Sequence, residues 1–180
     1  DSYTIEPDGS LSSNKNASDS GLEFVSNPLP LDDMIDSLND VVKWAKTNGC
    51  YTNQSTGLHM NVSVPGCNSE SLDYVKLALL LGDEYVLNQF GRAANSFTKS
   101  AMSNLKSRAT YMSSEPELYK FFDEMRKGLS VEAAKLIHSG VTGKYVSINN
   151  KDNYIEFRSP GGDWLNEDIP KLENTLLRFV

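Results

Sequence analysis

The sequence is short of cysteine, of histidine, of long apolar runs and of positive charge, and each shortage excludes something. Among 180 residues there are two cysteines, Cys50 and Cys67, and two histidines. Their spacing matches no zinc motif, so a thiolate-built metal centre is not expected. Cys50 and Cys67 bracket one short strand region and could pair, but two reduced thiols of a cytoplasmic protein are the expected state. The most apolar run, Leu77–Leu81, is far too short to cross a bilayer, and no membrane partner is expected. A net charge of −7 argues against a broad nucleic-acid surface, which needs clustered Lys and Arg.

What is present reads as an ordinary globular chain, with 39% hydrophobic and 23% charged residues. Residues 1–180 fit one domain with a substantial core. The opening DSYTIEPDGSL looks like the end of a strand, so a further N-terminal strand is expected before Asp1. Period-two alternation marks strands at Ser2–Glu6, Gly21–Ser26 and Gly57–Pro65. Lys144–Ile148 and Asn153–Ser159 read as a hairpin joined by Asn149–Asp152. Helical spacing runs from Leu31 to Ala45 and then, as one long central helix, over Ser71–Phe90. Ser114 opens a capping box for a helix to about Lys127, and Ser130 caps a shorter one to about His138. A last helix over Glu167–Phe179 is expected to bury Leu172, Leu176 and Leu177.

The stretch Tyr154–Trp164, YIEFRSPGGDW, carries the chemistry. Ile155 and Phe157 point one way, and Tyr154, Glu156 and Arg158 the other. The strand then stops at Pro160 and turns through Gly161–Gly162. Alone, Glu156 and Arg158 read as an edge-strand ion pair. The same division into an apolar and a polar face recurs, however, with Glu23 on one strand and His59 with Asn61 on another. On the open face of a sheet these would meet as oxygen and nitrogen ligands suited to Mg²⁺ or Mn²⁺. From Arg92 to Tyr111 there is no acidic residue, while Arg92, Lys99, Lys106 and Arg108 are basic. A solvated helix face is the plainer reading of that segment; a phosphate-neutralising patch is the functional one.

GLEFVSNPLP, TGLHMNVSV, FGRAANSF and YIEFRSPGG, in that order, resemble the amidoligases, ATP-dependent carboxylate–amine ligases related to glutamine synthetase and glutamate–cysteine ligase. The resemblance covers roughly Ile5 to Leu177. It implies an α+β fold with a curved, mainly antiparallel sheet covered by helices, like the glutamine synthetase catalytic domain. It implies ATP and Mg²⁺ (or Mn²⁺), an acyl-phosphate intermediate, and small-molecule or peptide carboxylate and amine substrates. By motif, Glu23, Glu156 and His59 would be metal ligands, and His59, Asn61 and Arg158 would contact the nucleotide. Arg158 and Arg92 would be the catalytic cations, with Asp8 a further candidate. The family's paired-glutamate strand is not found in this sequence: it is expected either ahead of Asp1 in a longer protein or, in a member with a degraded site, not at all. The alternative is a non-catalytic assembly module of a phage particle that keeps the fold, with a virion location and assembly partners.

Overall fold

In the computed structural model of the protein, residues 3–13, 19, 21–66, 74–93, 98–104, 107, 120 and 145–180 are described. Strand β1 (Tyr3–Pro7) pairs antiparallel with β2 (Leu22–Ser26), Ile5 opposite Phe24 and Glu6 opposite Glu23. A two-stranded ribbon is marginal by itself. This one is anchored on helix α1 (Leu31–Thr47): the Tyr3 hydroxyl donates to the Ser37 carbonyl at 3.3 Å and lies 2.9 Å from Ser37 Oγ. Phe24 meets Trp44 edge to face, ring centroids 5.4 Å apart. Helix α1 starts after Pro30 with Asp32 and Asp33 in its first turn, where the helix dipole favours negative charge. Its stripe of Leu38, Val42 and Ala45 faces the core.

The second sheet is β3 (Met60–Val62), β4 (Ile148–Asn150) and β5 (Ile155–Phe157), in the order β3–β5–β4 and antiparallel throughout. One cross-strand row, Met60, Phe157 and Ile148, is buried. Behind it lie α1, α2 (Tyr74–Leu81), α3 (Asp83–Gln89) and α4 (Ile169–Phe179), all feeding one core cluster. Phe157 stacks on Phe179 with centroids 4.3 Å apart. The fold is therefore mixed α and β with antiparallel strands, as expected. Among the described residues the strands form two small sheets, and no barrel closes.

Other expectations shift in register. The Gly57–Pro65 strand is regular only over Met60–Val62, because β5 stops at Phe157. The hairpin sits further along the chain than its composition suggests: β4 is Ile148–Asn150, and the turn closes with Lys151 N–H on the Tyr154 carbonyl at 2.9 Å. Burying Ile148 opposite Phe157 fixes that register and overrides the turn preference of Asn149 and Asn150. The Ser71–Phe90 helix breaks at Gly82, which takes the left-handed conformation at φ 65°. Arg178 Nε donates to the Leu81 carbonyl at 2.8 Å, satisfying one of the acceptors the break leaves open. Leu80 and Leu177 are exposed, the buried face of α4 being Leu172, Thr175, Leu176 and Phe179. Cys50 is a partly buried free thiol. Cys67, Lys106, Arg108 and the helices expected to about Lys127 and His138 lie outside the described residues.

Candidate functional site

On the face of β3–β5–β4 opposite the core, the strand register lines up Asn61, Glu156 and Asn149. Glu156 is the centre of this row and keeps only 12% of its side-chain exposure. Asn149 Nδ2 donates to Glu156 Oε2 at 2.8 Å, and Arg158 Nη1 lies 3.2 Å from the same oxygen. Oε1 faces His59, with Nδ1 at 3.9 Å, and accepts no hydrogen bond among the described residues. Burial pushes the Glu156 carboxyl up, but the Asn149 amide, the Arg158 guanidinium and His59 outweigh it and hold the carboxyl below its usual range. His59 moves to about 4, through burial first and the Arg158 charge second, against the opposing pull of Glu156. It is thus a neutral imidazole at pH 7, and its contact with Glu156 is not an ion pair there.

The chain beyond β5 carries a bulge. From the Met60–Phe157 pair to the Gly57–Gly161 bridge, the β3 side runs back three residues and the β5 side forward four. The extra residue falls within Arg158–Pro160, where bulges characteristically re-aim a side chain. Leu58 N–H donates to the Pro160 carbonyl at 3.2 Å and Gly162 N–H to the Thr56 carbonyl at 2.8 Å, which ties the bulge to the loop entering His59. Gly57 gives the imidazole room: a Cβ there would lie 2.7 Å from His59 Nε2. On the β4 side, Arg158 N–H donates to the Ser147 carbonyl at 2.8 Å.

Arg92 is 2% exposed, so it does not stand on a solvated helix face. It leaves α3 through a Schellman turn, with Gly91 at φ 64°, Gly91 N–H on the Asn88 carbonyl and Arg92 N–H on that of Leu87. Its Nη1 donates to the carbonyls of Pro160 at 2.6 Å and Arg158 at 3.3 Å. Burial and then the Arg158 charge lower its pKa to about 10. Two guanidiniums thus lie close together, and of the two Arg158 is the one paired with the Glu156 carboxylate. Arg92 Nε, Arg158 Nε, Ser159 Oγ and Trp164 Nε1 are buried with no hydrogen-bond partner among the described residues. Unsatisfied buried donors are rare in folded proteins and mark a place where a ligand can supply the acceptor.

The structure brings His59, Asn61, Glu156 and Arg158 onto one sheet face, with Arg92 close behind. It does not bring Glu23 into that row: Glu23 is exposed on the β1–β2 ribbon, opposite Glu6. Asp8, at the end of that ribbon, is closer to the cluster, since its carboxylate raises the affinity of His59 for a proton. Its Oδ1 accepts from Ser10 N–H and Oγ, and Ser12 binds Ser55 and Asn53 in the loop before His59. Sequence reasoning missed Asn149, placed in a turn. It also missed Asp83, a buried carboxylate that accepts from Ala101 N–H at 2.6 Å and from Ser147 Oγ. Among the described residues no three His, Cys, Asp or Glu side chains are grouped to hold a metal ion.

The fold and this face define a mixed α and β protein that presents guanidinium, carboxylate and imidazole groups together. A family model described as "Putative amidoligase enzyme" matches residues 1–180, and the chain belongs to that amidoligase family, whose function is of ligase type. No curated protein and no solved structure matches it.

Proposed function

We propose that the protein is an ATP- and Mg²⁺-dependent ligase that joins a carboxylate to an amine on a glutamine synthetase-like fold. In this reading a substrate carboxylate oxygen attacks the γ-phosphorus of ATP and ADP leaves. The amine then attacks the acyl carbon, the C–O bond to phosphate breaks, and the departing phosphate takes up the proton that the amine loses as the amide forms. The observation that carries the proposal is a pair of neighbouring guanidiniums, Arg158 paired with Glu156 and Arg92 beside it, each with a buried Nε that has no partner among the described residues. Such donors suit the phosphoryl oxygens of a loose transition state, where positioned positive charge supplies most of the catalysis. Arg158 is the direct phosphate contact in this proposal, with the Arg92 charge behind it. His59, with a pKa of about 4, is a poor proton acceptor at pH 7 and serves as a neutral contact to phosphate or metal, beside Asn61.

The donor set fits the anion better than it fits a bare cation. Glu156 Oε1 is one oxygen ligand that accepts no hydrogen bond among the described residues, Asp8 lies within electrostatic reach of His59, and Glu23 stands on the other sheet. Mg²⁺ is accordingly proposed as the ion that arrives with ATP and supplies phosphate charge neutralisation, with Glu156 as its protein contact. The substrates are small-molecule or peptide acids and amines, and the location is cytoplasmic, where ATP is abundant. No observation favours the virion module. Calorimetry of Mg·ATP on the full-length protein, followed by ATP consumption with a panel of amino acids and peptides, tests the proposal. Saturable binding and acid-dependent turnover are expected; a protein that binds no Mg·ATP and consumes none sinks it.

A further inference from the structure

We propose that Arg92 is a positioning residue that sets the aim of Arg158 through the backbone of the bulge, and that Gly161 is the residue that admits it. A buried cation normally has an anionic partner. Among the described residues the partners of Arg92 are carbonyls: its Nη1 holds those of Arg158 and Pro160 at once. These two carbonyls flank Ser159, within the segment that carries the extra residue between Phe157 and Gly161. The Pro160 carbonyl also accepts Leu58 N–H, one residue before His59. A single guanidinium therefore fixes the bulge that follows Arg158 and ties it to the strand entry that carries His59.

Gly161 makes the approach geometrically feasible. A Cβ at this position would lie 1.9 Å from Arg92 Nη1, 2.7 Å from its Cζ and 2.7 Å from the Thr56 carbonyl oxygen. Its φ of 153° adds a backbone conformation that other residues rarely adopt. The helix end supplies the other half of the device, because the Schellman turn at Gly91 directs Arg92 out of α3 towards the bulge. Lysine does not reproduce this arrangement, since its side chain is shorter and ends in a tetrahedral ammonium in place of the planar guanidinium packed against Gly161.

The consequence for phosphate binding rests on the ligase reading, but the positioning itself does not, and the experiment separates the two. In ¹⁵N NMR of the unsubstituted protein without ligand, the clamp predicts resolved, slowly rotating Arg92 Nη1 signals at low temperature. Freely rotating Nη groups overturn the proposal whatever the variants do. Arg92→Lys keeps the charge and loses the fork, whereas Gly161→Ala keeps Arg92 and blocks its approach. In both, the Arg158 Nε–Hε signal is expected to shift and to exchange faster with water, and the double variant to add little to either single change. An unmoved Arg158 signal in a folded Arg92→Lys or Gly161→Ala protein overturns it, because an Arg92 that only stabilises the core would lower the melting temperature alone. Where the full-length protein binds Mg·ATP, either variant is expected to weaken that binding roughly tenfold, the scale of one charge-assisted hydrogen bond. Affinity retained in Arg92→Lys means that charge alone sufficed, and overturns it too. Absence of Mg·ATP binding in the unsubstituted protein counts against the ligase reading and leaves the Arg158 signal as the deciding measurement.

Discussion

An imidazole held between guanidiniums and a carboxylate reports each of its neighbours by the direction in which its proton affinity moves. His59 is such a reporter, and with two histidines in the chain its NMR signal is readily assigned. Its midpoint is expected at about 4. Arg158→Gln removes a cation that disfavours the charged imidazole, so the midpoint rises. Glu156→Gln removes the carboxylate that favours it, so the midpoint falls. Shifts in the same direction in both variants would show that the three groups do not face one another as described. Glu156→Gln also has a stability cost, because its side chain is mostly buried and its loss removes the counter-ion that Arg158 has among the described residues. About 1–3 kcal/mol is expected from thermal melts. The sequence shows His59, Asn61, Glu156 and Arg158 through strand alternation alone. It hides Asn149, because Asn-Asn-Lys-Asp has the composition of a turn, and it hides the burial of Arg92, because a basic run reads as surface.

Between elements, the two faces of β5 predict opposite kinds of failure. Phe157 is 1% exposed and stacked on Phe179, so Phe157→Ala is expected to cost about 3–5 kcal/mol by chemical denaturation while leaving the polar row chemically unchanged. Ile155 on the same face is only partly buried, and its truncation belongs at the low end of about 2–5 kcal/mol. The break between α2 and α3 is a second element-scale feature. Gly82 is left-handed and a Cβ on it would meet Arg178 Nη2 at 3.0 Å, so Gly82→Ala is expected to destabilise by about 1–3 kcal/mol. A Gly82→Ala protein as stable as the parent would mean that α2 and α3 can run on as one helix. Apolar periodicity does not show this break, since the Leu77–Leu81 run is apolar on nearly every side and fixes no single face for the residues beyond it. What decides it is Asp83, whose buried carboxylate takes Ala101 N–H and Ser147 Oγ and so holds the start of α3 against the chain entering β4. Those partners are 18 and 64 residues away, beyond the reach of any local pattern.

At the scale of the whole molecule, the cluster makes folding sensitive to acid in a defined order. Both His59 and Glu156 bind protons less readily in the folded state than in the unfolded chain. For groups with lowered pKa values, the stabilisation is complete above the unfolded value and is lost as pH falls towards the folded one. His59 therefore gives up its share as pH falls from about 6.5, the unfolded value, to about 4. Glu156 starts to give up its share only near pH ~4.3, its unfolded value, and continues below it. Urea midpoints between neutral pH and about pH 3 should accordingly show an upper stage and a lower one. His59→Asn removes the proton site and is expected to flatten the upper stage while keeping the lower, and Glu156→Gln to flatten the lower. An unsubstituted protein whose urea midpoint stays constant from about pH 6.5 to about pH 4 would mean that His59 titrates alike in both states. The burial and cation proximity that define the candidate site would then be wrong, and the phosphate-binding reading built on that site would go with them.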